Sequence, residues 1–94
     1  MDQDRQYKYV LRRVKESPDY LKQCRDLAKK YNRFGEVMMA IKNNLAGYAH
    51  DNPNCNNGYY WYDTAAMFGM PSFNYIYTYD DKTVTICSIF LNAD

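Results

Sequence analysis

Two stretches in the first half of the chain repeat apolar residues at helical spacing. The stripe of the first, over residues 17–32, comprises Tyr20, Cys24, Leu27, Ala28 and Tyr31. Ser17 can cap this helix, and Pro18 suits its first turn. The second stretch runs from Phe34 to Tyr48 with the same periodicity. Because only a short break separates the two stretches, the pattern predicts a helical hairpin.

Strand-forming residues occupy the rest of the pattern. Runs rich in Tyr, Val, Ile and Thr predict strands over residues 7–14, 59–63, 72–79 and 83–91. The polar segment "AHDNPNCNNG" (49–58) predicts a loop, and "TAAMFGMPS" (64–72) predicts an apolar connector. The element order is therefore β-α-α-β-β-β.

This order predicts a single α+β domain over residues 1–94. The last three strands can pair as an antiparallel meander, and the first strand is expected to join the same antiparallel sheet. The helical hairpin then covers one face of that sheet. The pattern does not decide which face is exposed.

The register of the last hairpin has two candidate solutions. A two-residue turn at Asp80-Asp81 would align Tyr77 with Val84. A three-residue loop would align Tyr77 with Thr85 instead. The choice decides which side chains lie beside the tyrosines of the preceding strand.

Charge divides the chain more sharply than its net value of +1 suggests. Nearly all Lys and Arg residues precede residue 43, and the second half is acidic. This asymmetry indicates an anionic partner for the first half. The basic candidates for contacts with nucleic-acid phosphates are Arg12, Arg13, Lys15, Lys22, Arg25 and Lys29. Because Arg12 and Arg13 are adjacent on a predicted strand, we expect them to point to opposite faces.

Aromatic residues are dense in the second half of the chain. Tyrosine and tryptophan side chains on a sheet can stack on unpaired bases or anchor a protein interface. The candidates for protein binding are Trp61, Tyr75, Tyr77 and Tyr79. Alternatively, part of this set forms the core under the helices.

Catalytic chemistry has little support in the residue pattern. The candidates for proton transfer are His50, Tyr60 and Tyr77, since a histidine titrates near neutral pH. The three cysteines are widely spaced and form no metal-binding pattern, and no cofactor motif is present. No cofactor or metal is expected. The chain has no apolar run of membrane-spanning length and a polar start, so a cytoplasmic location without membrane contact is expected.

Three segments together carry a resemblance to the RelE/ParE toxin superfamily. The final stretch "FNYIYTYDDKTVTICSIFLNAD" resembles the family's last hairpin. "SPDYLKQCRDLAKKY" is similar to its first helix, and "FGEVMMAIKNNLAGYAHDNPNCNNG" is similar to its second helix and the loop that follows. The resemblance covers about residues 7–92. It implies a toxin-like module that pairs with a cognate antitoxin.

The resemblance leaves two modes of action open. Ribonuclease members carry basic, His or Tyr groups on the last strands and act on RNA at the ribosome, whereas this chain has Asn74, Thr78 and Lys82 there. Leu91 stands where a histidine is often found. Other members act by binding gyrase and need no such groups. The alternative is a non-enzymatic protein-binding or inhibitor domain that uses an aromatic sheet face.

Overall fold

The computed structural model describes residues 9–52 and 54–92, in which one strand is followed by two helices and then by four strands. The helices are α1 (Pro18–Lys30) and α2 (Phe34–Tyr48), followed by a short 3-10 helix at Ala49–Asp51. The strands are β1 (Arg13–Glu16), β2 (Cys55–Asn56), β3 (Tyr59–Asp63), β4 (Phe73–Tyr79) and β5 (Thr83–Leu91). The predicted α+β class and the β-α-α-β-β-β order are confirmed, with β2 as an added short strand.

The start of α1 is capped as its sequence predicts. The Ser17 hydroxyl accepts a hydrogen bond from the amide of Tyr20 at 3.1 Å and donates one to the carbonyl of Cys87 at 2.9 Å. One side chain thus satisfies a free helix amide and fixes the helix against β5. Tyr20 and Cys24 are buried, but Ala28 is exposed, so the predicted stripe is one residue too wide.

The first strand begins later than its composition indicates. Residues 7 and 8 of the predicted strand lie outside the described residues, and the chain from Tyr9 to Arg12 pairs with no strand. Its amides turn instead to the end of α2. Val10 donates to the carbonyl of Gly47 at 3.0 Å, and Arg12 donates to that of Ala46 at 2.8 Å. The last carbonyls of a helix have no hydrogen-bond donor within the helix, and the amides of this segment supply the donors.

The five strands form one sheet in the order β1-β5-β4-β3-β2. Strands β2 to β5 pair antiparallel, as predicted for the last three, whereas β1 runs parallel to β5. The expectation of a purely antiparallel sheet is therefore wrong for one pair. The helical hairpin is a crossover long enough to permit that parallel pairing.

The register of the β4–β5 hairpin lies one residue beyond the alignment predicted for a three-residue loop and two residues beyond that predicted for a two-residue turn. Tyr79 lies opposite Val84 and Tyr77 opposite Ile86, so both predicted alignments are wrong. The reason is Asp80, whose side chain accepts hydrogen bonds from the amides of Lys82 and Thr83, each at 2.8 Å. Asp80 thereby closes the turn from its first position, a role that aspartate favours.

A bulge then shifts the register along β5. Ile76 lies opposite Ser88, so Cys87 has no partner on β4. Two residues beyond the bulge, the amide of Ile89 donates to the side-chain oxygen of Gln23 in α1 at 2.8 Å. A bulge of this kind redirects the side chains around it.

The core lies between the helices and one face of the sheet. Its largest fully buried side chains are Tyr20, Tyr77, Phe34, Phe73, Ile41, Leu45, Ile86, Ile89, Val37 and Val84. Alternation along β4 places every second residue, from Phe73 to Tyr77, under the helices. Phe73, Tyr75 and Tyr77, three of the five aromatic residues of the last hairpin, therefore belong to the core.

Two buried tyrosines offer a matched test of this core. The Tyr77 hydroxyl donates to the carbonyl of Ala49 at 2.6 Å, whereas the Tyr20 hydroxyl has no hydrogen-bond partner among the described residues beyond a weak interaction with the Cys24 thiol. We expect Tyr77→Phe to lower the free energy of unfolding by about 1–2 kcal/mol, because it leaves a buried carbonyl with one partner fewer. Tyr20→Phe should leave it unchanged or raise it by up to about 1 kcal/mol. Urea unfolding of both variants measures the difference, and equal losses would contradict this description of the core.

Candidate nucleic-acid interface on the open sheet face

The helices cover only one face of the sheet and leave the other open. We call the outward-pointing residues of this second face the open face: Arg13, Lys15, Tyr59, Trp61, Asp63, Asn74, Ile76, Thr78, Thr83, Thr85, Ser88 and Phe90. It mixes aromatic, aliphatic and hydroxyl side chains. Such a face offers both stacking surfaces and hydrogen-bonding groups.

A pocket of about 400 Å³ lies on the open face. Its lining residues come from β2, β3, β4, β5 and the β2–β3 turn: Asn56, Asn57, Tyr59, Trp61, Ile76, Cys87 and Ser88. The volume lies in the range of small-molecule sites. Trp61 is 36% exposed and Tyr59 is 49% exposed, so the pocket presents aromatic rings to solvent.

Two local backbone features build this pocket. Asn57 and Gly58 have φ values of 55° and 86°, which close a two-residue turn between β2 and β3. The turn places Asn56 and Asn57 at one side of the pocket. The bulge in β5 supplies Cys87 and Ser88 at the other side. Both features follow from backbone geometry and not from hydrophobic pattern.

The pocket is lined by uncharged groups. Burial raises the pKa of the Cys87 thiol, so this group stays neutral at neutral pH. Within the described part of the chain, the Asn56 and Asn57 side chains make no hydrogen bond, so their amides are available to a ligand. Each amide carries both donors and an acceptor.

Charges on the open face lie at its two sides. Arg13 and Lys15 are exposed on the edge strand β1. Asp63 lies at the end of β3, where Asn74 and Asn92 each donate to its carboxylate at 3.0 Å. These hydrogen bonds lower the pKa of Asp63, and its charge is already engaged. The cations of β1 are thus the charges on this face that remain for an anion.

The six predicted phosphate contacts do not form one patch. Arg12 is buried, while Arg13 and Lys15 lie on the open face, so the expected opposition of Arg12 and Arg13 is confirmed. Lys22, Arg25 and Lys29 are exposed on α1, in the layer on the other side of the sheet. One ligand on the open face can therefore meet only the two cations of β1.

The predicted aromatic protein-binding set is also divided. Tyr75 is 2% exposed and Tyr77 is fully buried, so these two side chains belong to the core and cannot contact a partner in this fold. Alternation along β4 turns both toward the helices. Tyr79 is half-buried on the same side. Trp61 alone of the four lies on the open face.

A polar cluster surrounds Arg12 at the end of the sheet, beneath the helices. The Arg12 Nε donates to the carbonyl of Asp80 at 2.7 Å, and Nη1 lies 3.0 Å from Nδ1 of His50. The Arg12 guanidinium carbon lies 4.7 Å from the centre of the Tyr79 ring, a cation–π contact. Because arginine has only donors, Nδ1 of His50 accepts in this contact, which places the proton of the neutral ring on Nε2.

The predicted proton-transfer residues all lie on the covered side of the sheet. A hydrogen bond with the Tyr79 hydroxyl raises the pKa of Tyr60 to about 12, and burial raises that of Tyr77 to about 12. Both phenols therefore stay protonated at neutral pH and are poor general bases there. The Tyr77 hydroxyl also donates a hydrogen bond to the carbonyl of Ala49.

His50, the third predicted proton-transfer residue, contacts Arg12, and its Nε2 lies 3.5 Å from a carboxylate oxygen of Asp51. The three residues share a region but do not line the pocket.

Sequence reasoning missed the amide side of the pocket. The sequence pattern places Asn56 and Asn57 only in a polar loop. The dipeptide Asn57-Gly58 ahead of a strand is a strong hairpin signal and would have revealed both β2 and the placement of these amides.

The described residues, 9–52 and 54–92, contain neither a metal-binding cluster nor a membrane-spanning helix. No group of three or more His, Cys, Asp or Glu side chains in this part could hold a metal ion. No helix in the same ranges is long and apolar enough to cross a membrane.

The stability of two arginine variants shows whether the contacts of Arg12 hold the fold together. We expect Arg12→Met to lower the free energy of unfolding by about 2–3 kcal/mol, because it removes a charged donor from two partly buried contacts. Arg13→Met, at an exposed neighbouring position, should change it by less than about 0.5 kcal/mol. Chemical denaturation of both variants measures the two values. Equal stability of the variants would show that the Arg12 contacts are not structural.

Comparison with protein families, with curated proteins and with solved structures yields no match to this chain. The likeness to the RelE/ParE superfamily therefore rests on the element order and on the three sequence segments that carry it.

Proposed function

We propose that this protein is a toxin-like module that acts by binding single-stranded RNA on its open face, with a cognate antitoxin as a second partner. The observation that carries the proposal is the aromatic pocket around Trp61 on the sheet face opposite α1 and α2. The element order on which the RelE/ParE resemblance rests is present in the fold. Aromatic side chains on an exposed sheet are a common platform for unpaired bases.

The cations of β1 complement this platform. The sheet order places β5 and β4 between β1 and β3, so three strand spacings of about 4.8 Å separate Arg13 and Lys15 from Trp61. That separation is about 14 Å perpendicular to the strands. Trp61 also lies further along the strand direction, because Lys15 is in register with Thr85 whereas Trp61 is in register with Ile76 and Ser88. An RNA strand whose base stacks on Trp61 can therefore place the phosphates of neighbouring nucleotides near β1. Aromatic contacts and phosphate contacts are thus combined on one surface.

Binding without cleavage agrees best with the positions of the titratable groups. His50, Tyr60 and Tyr77 lie on the covered side of the sheet, whereas the pocket lies on the open side. A strand bound in the pocket does not meet these residues. The proposed module therefore blocks its RNA target by occupancy, and the ribonuclease mode is the less supported one.

A second candidate function is a protein interface on the same face. Phe90, on the open face near the end of β5, is close to half exposed, and exposed apolar side chains of this kind are frequent at protein interfaces. A gyrase-type target or an inhibited protein would use this region. RNA is favoured because the pocket combines rings, amides and nearby cations.

Trp61 is the only tryptophan of the chain, so its fluorescence reports directly on the pocket. We expect its emission to change on titration with single-stranded RNA, because a stacked base alters the surroundings of the indole. Trp61→Ala should weaken binding of a labelled oligonucleotide by about 1–3 kcal/mol. The change in anisotropy of the label measures this affinity.

Tyr62 supplies the matched control for this experiment. It lies on the same strand, is 44% exposed, and points to the covered side of the sheet. Tyr62→Ala should leave RNA affinity unchanged. Similar losses in both variants, or a Trp61 emission that RNA never alters, would reject the open face as the binding surface and favour the protein interface.

The salt dependence of binding tests the phosphate contacts separately. Removing both cations of β1, as Arg13→Ala with Lys15→Ala, should reduce the slope of log affinity against log salt by about 1.4, or about 0.7 for each lost contact. The corresponding pair on α1, Lys22→Ala with Arg25→Ala, should leave the slope unchanged, since α1 lies on the other side of the sheet. A larger reduction of the slope by the α1 pair would show that the RNA binds the helices and not the open face.

A further inference from the structure

The pocket has an apolar floor between an aromatic ring and a polar rim. In the sheet, Ile76 lies directly opposite Trp61 on one side and Ser88 on the other. A planar ligand that rests on Ile76 can therefore contact the indole of Trp61 along one side. The side chains of Asn56 and Asn57 complete the polar rim. This combination of stacking surface and amides is the arrangement that recognises an unpaired base.

From this geometry we infer that the pocket selects a single unpaired adenine, an inference that rests on the proposed binding of RNA. Each base presents a different set of donors and acceptors to a side chain. Arginine or lysine recognises guanine, aspartate or glutamate accepts from cytosine, and asparagine or glutamine pairs with the donor and acceptor of adenine. The lining residues within the described ranges include asparagine but no charged residue.

The availability of the amides supports the same conclusion. Neither Asn56 nor Asn57 makes a side-chain hydrogen bond within the described part of the chain. Nearby Asn54, by contrast, uses its side-chain amide on the carbonyl of Trp61 at 3.3 Å. The free amides can therefore pair with a base without first breaking an internal contact. The raised pKa of Cys87 keeps charge out of the pocket and preserves this selectivity.

Asn57 also has a purely conformational reason to be present. Its φ of 55° is a left-handed value that asparagine tolerates and that most residues avoid. A test must remove the amide without disturbing the turn. Asn57→Gly does so, since glycine adopts positive φ without a steric penalty. Folding of the variant is verified by its urea midpoint.

The experiment compares four labelled RNA strands of about eight nucleotides, close to the site size of one small binding fold. Three are homopolymers of adenine, uracil and cytosine, and the fourth is an abasic strand with the same phosphates. We expect the wild-type protein to bind the adenine strand at least about fivefold more tightly than the uracil or cytosine strand. In Asn57→Gly this preference should disappear, while affinity for the uracil strand changes by less than about twofold. Asn43→Ala, which removes an exposed amide from α2, should retain the preference.

The outcomes separate this inference from the proposed function. If all three homopolymers bind equally and the abasic strand binds more weakly, the open face binds RNA by stacking but does not select adenine. If the abasic strand binds as well as the others, the bases do not enter the pocket and adenine selection is overturned, while phosphate binding stands. If no strand binds, the proposed RNA function fails as well. Retention of adenine preference in Asn57→Gly would overturn the assigned role of that amide.

Discussion

The arrangement of the described chain depends on one buried cation. Arg12 is only 7% exposed, and its guanidinium contacts the β4–β5 turn at Asp80 and the 3-10 helix after α2 at His50. A buried charge is tolerated only when it is well hydrogen-bonded, so these contacts act together. The Arg12 backbone amide also donates to the carbonyl of Ala46 in α2. One residue therefore joins the segment before β1, the last turn of α2 and the final hairpin.

This constraint explains why only one face of the sheet is covered. The helical hairpin is held at both of its ends: Ser17 fixes the start of α1 to β5, and the segment from Tyr9 to Arg12 satisfies the end of α2. Gly47 leaves room for the ring of Tyr9 at that point, since a Cβ there would displace this exposed side chain. With both helices on the same side, the opposite face of the sheet keeps its polar and aromatic side chains in contact with solvent.

The sequence allowed the helices and the last three strands to be predicted because their signals are local. A capping serine, a proline in the first turn and regular apolar spacing defined α1, and α2 begins and ends where its stripe does. The position of β1 could not be predicted in the same way, because it depends on carbonyls of α2 that are distant in sequence. The predicted register of the last hairpin is wrong because Asp80 is not one of the two central residues of the turn. It precedes them and closes the turn with its side chain.

The candidate site was less predictable because it depends on the direction in which alternating side chains point. The tyrosines of β4 form one continuous aromatic face, and the sequence alone does not say whether it is packed or exposed. The helices cover it, so Tyr75 and Tyr77 became core residues and the mixed face with Ile76 became the open one. On β3, the residue opposite Ile76 is Trp61, and the same alternation exposes it. The aromatic residues that are dense in the sequence therefore have two roles. Those on the face under the helical hairpin pack in the core, and those on the open face contact solvent.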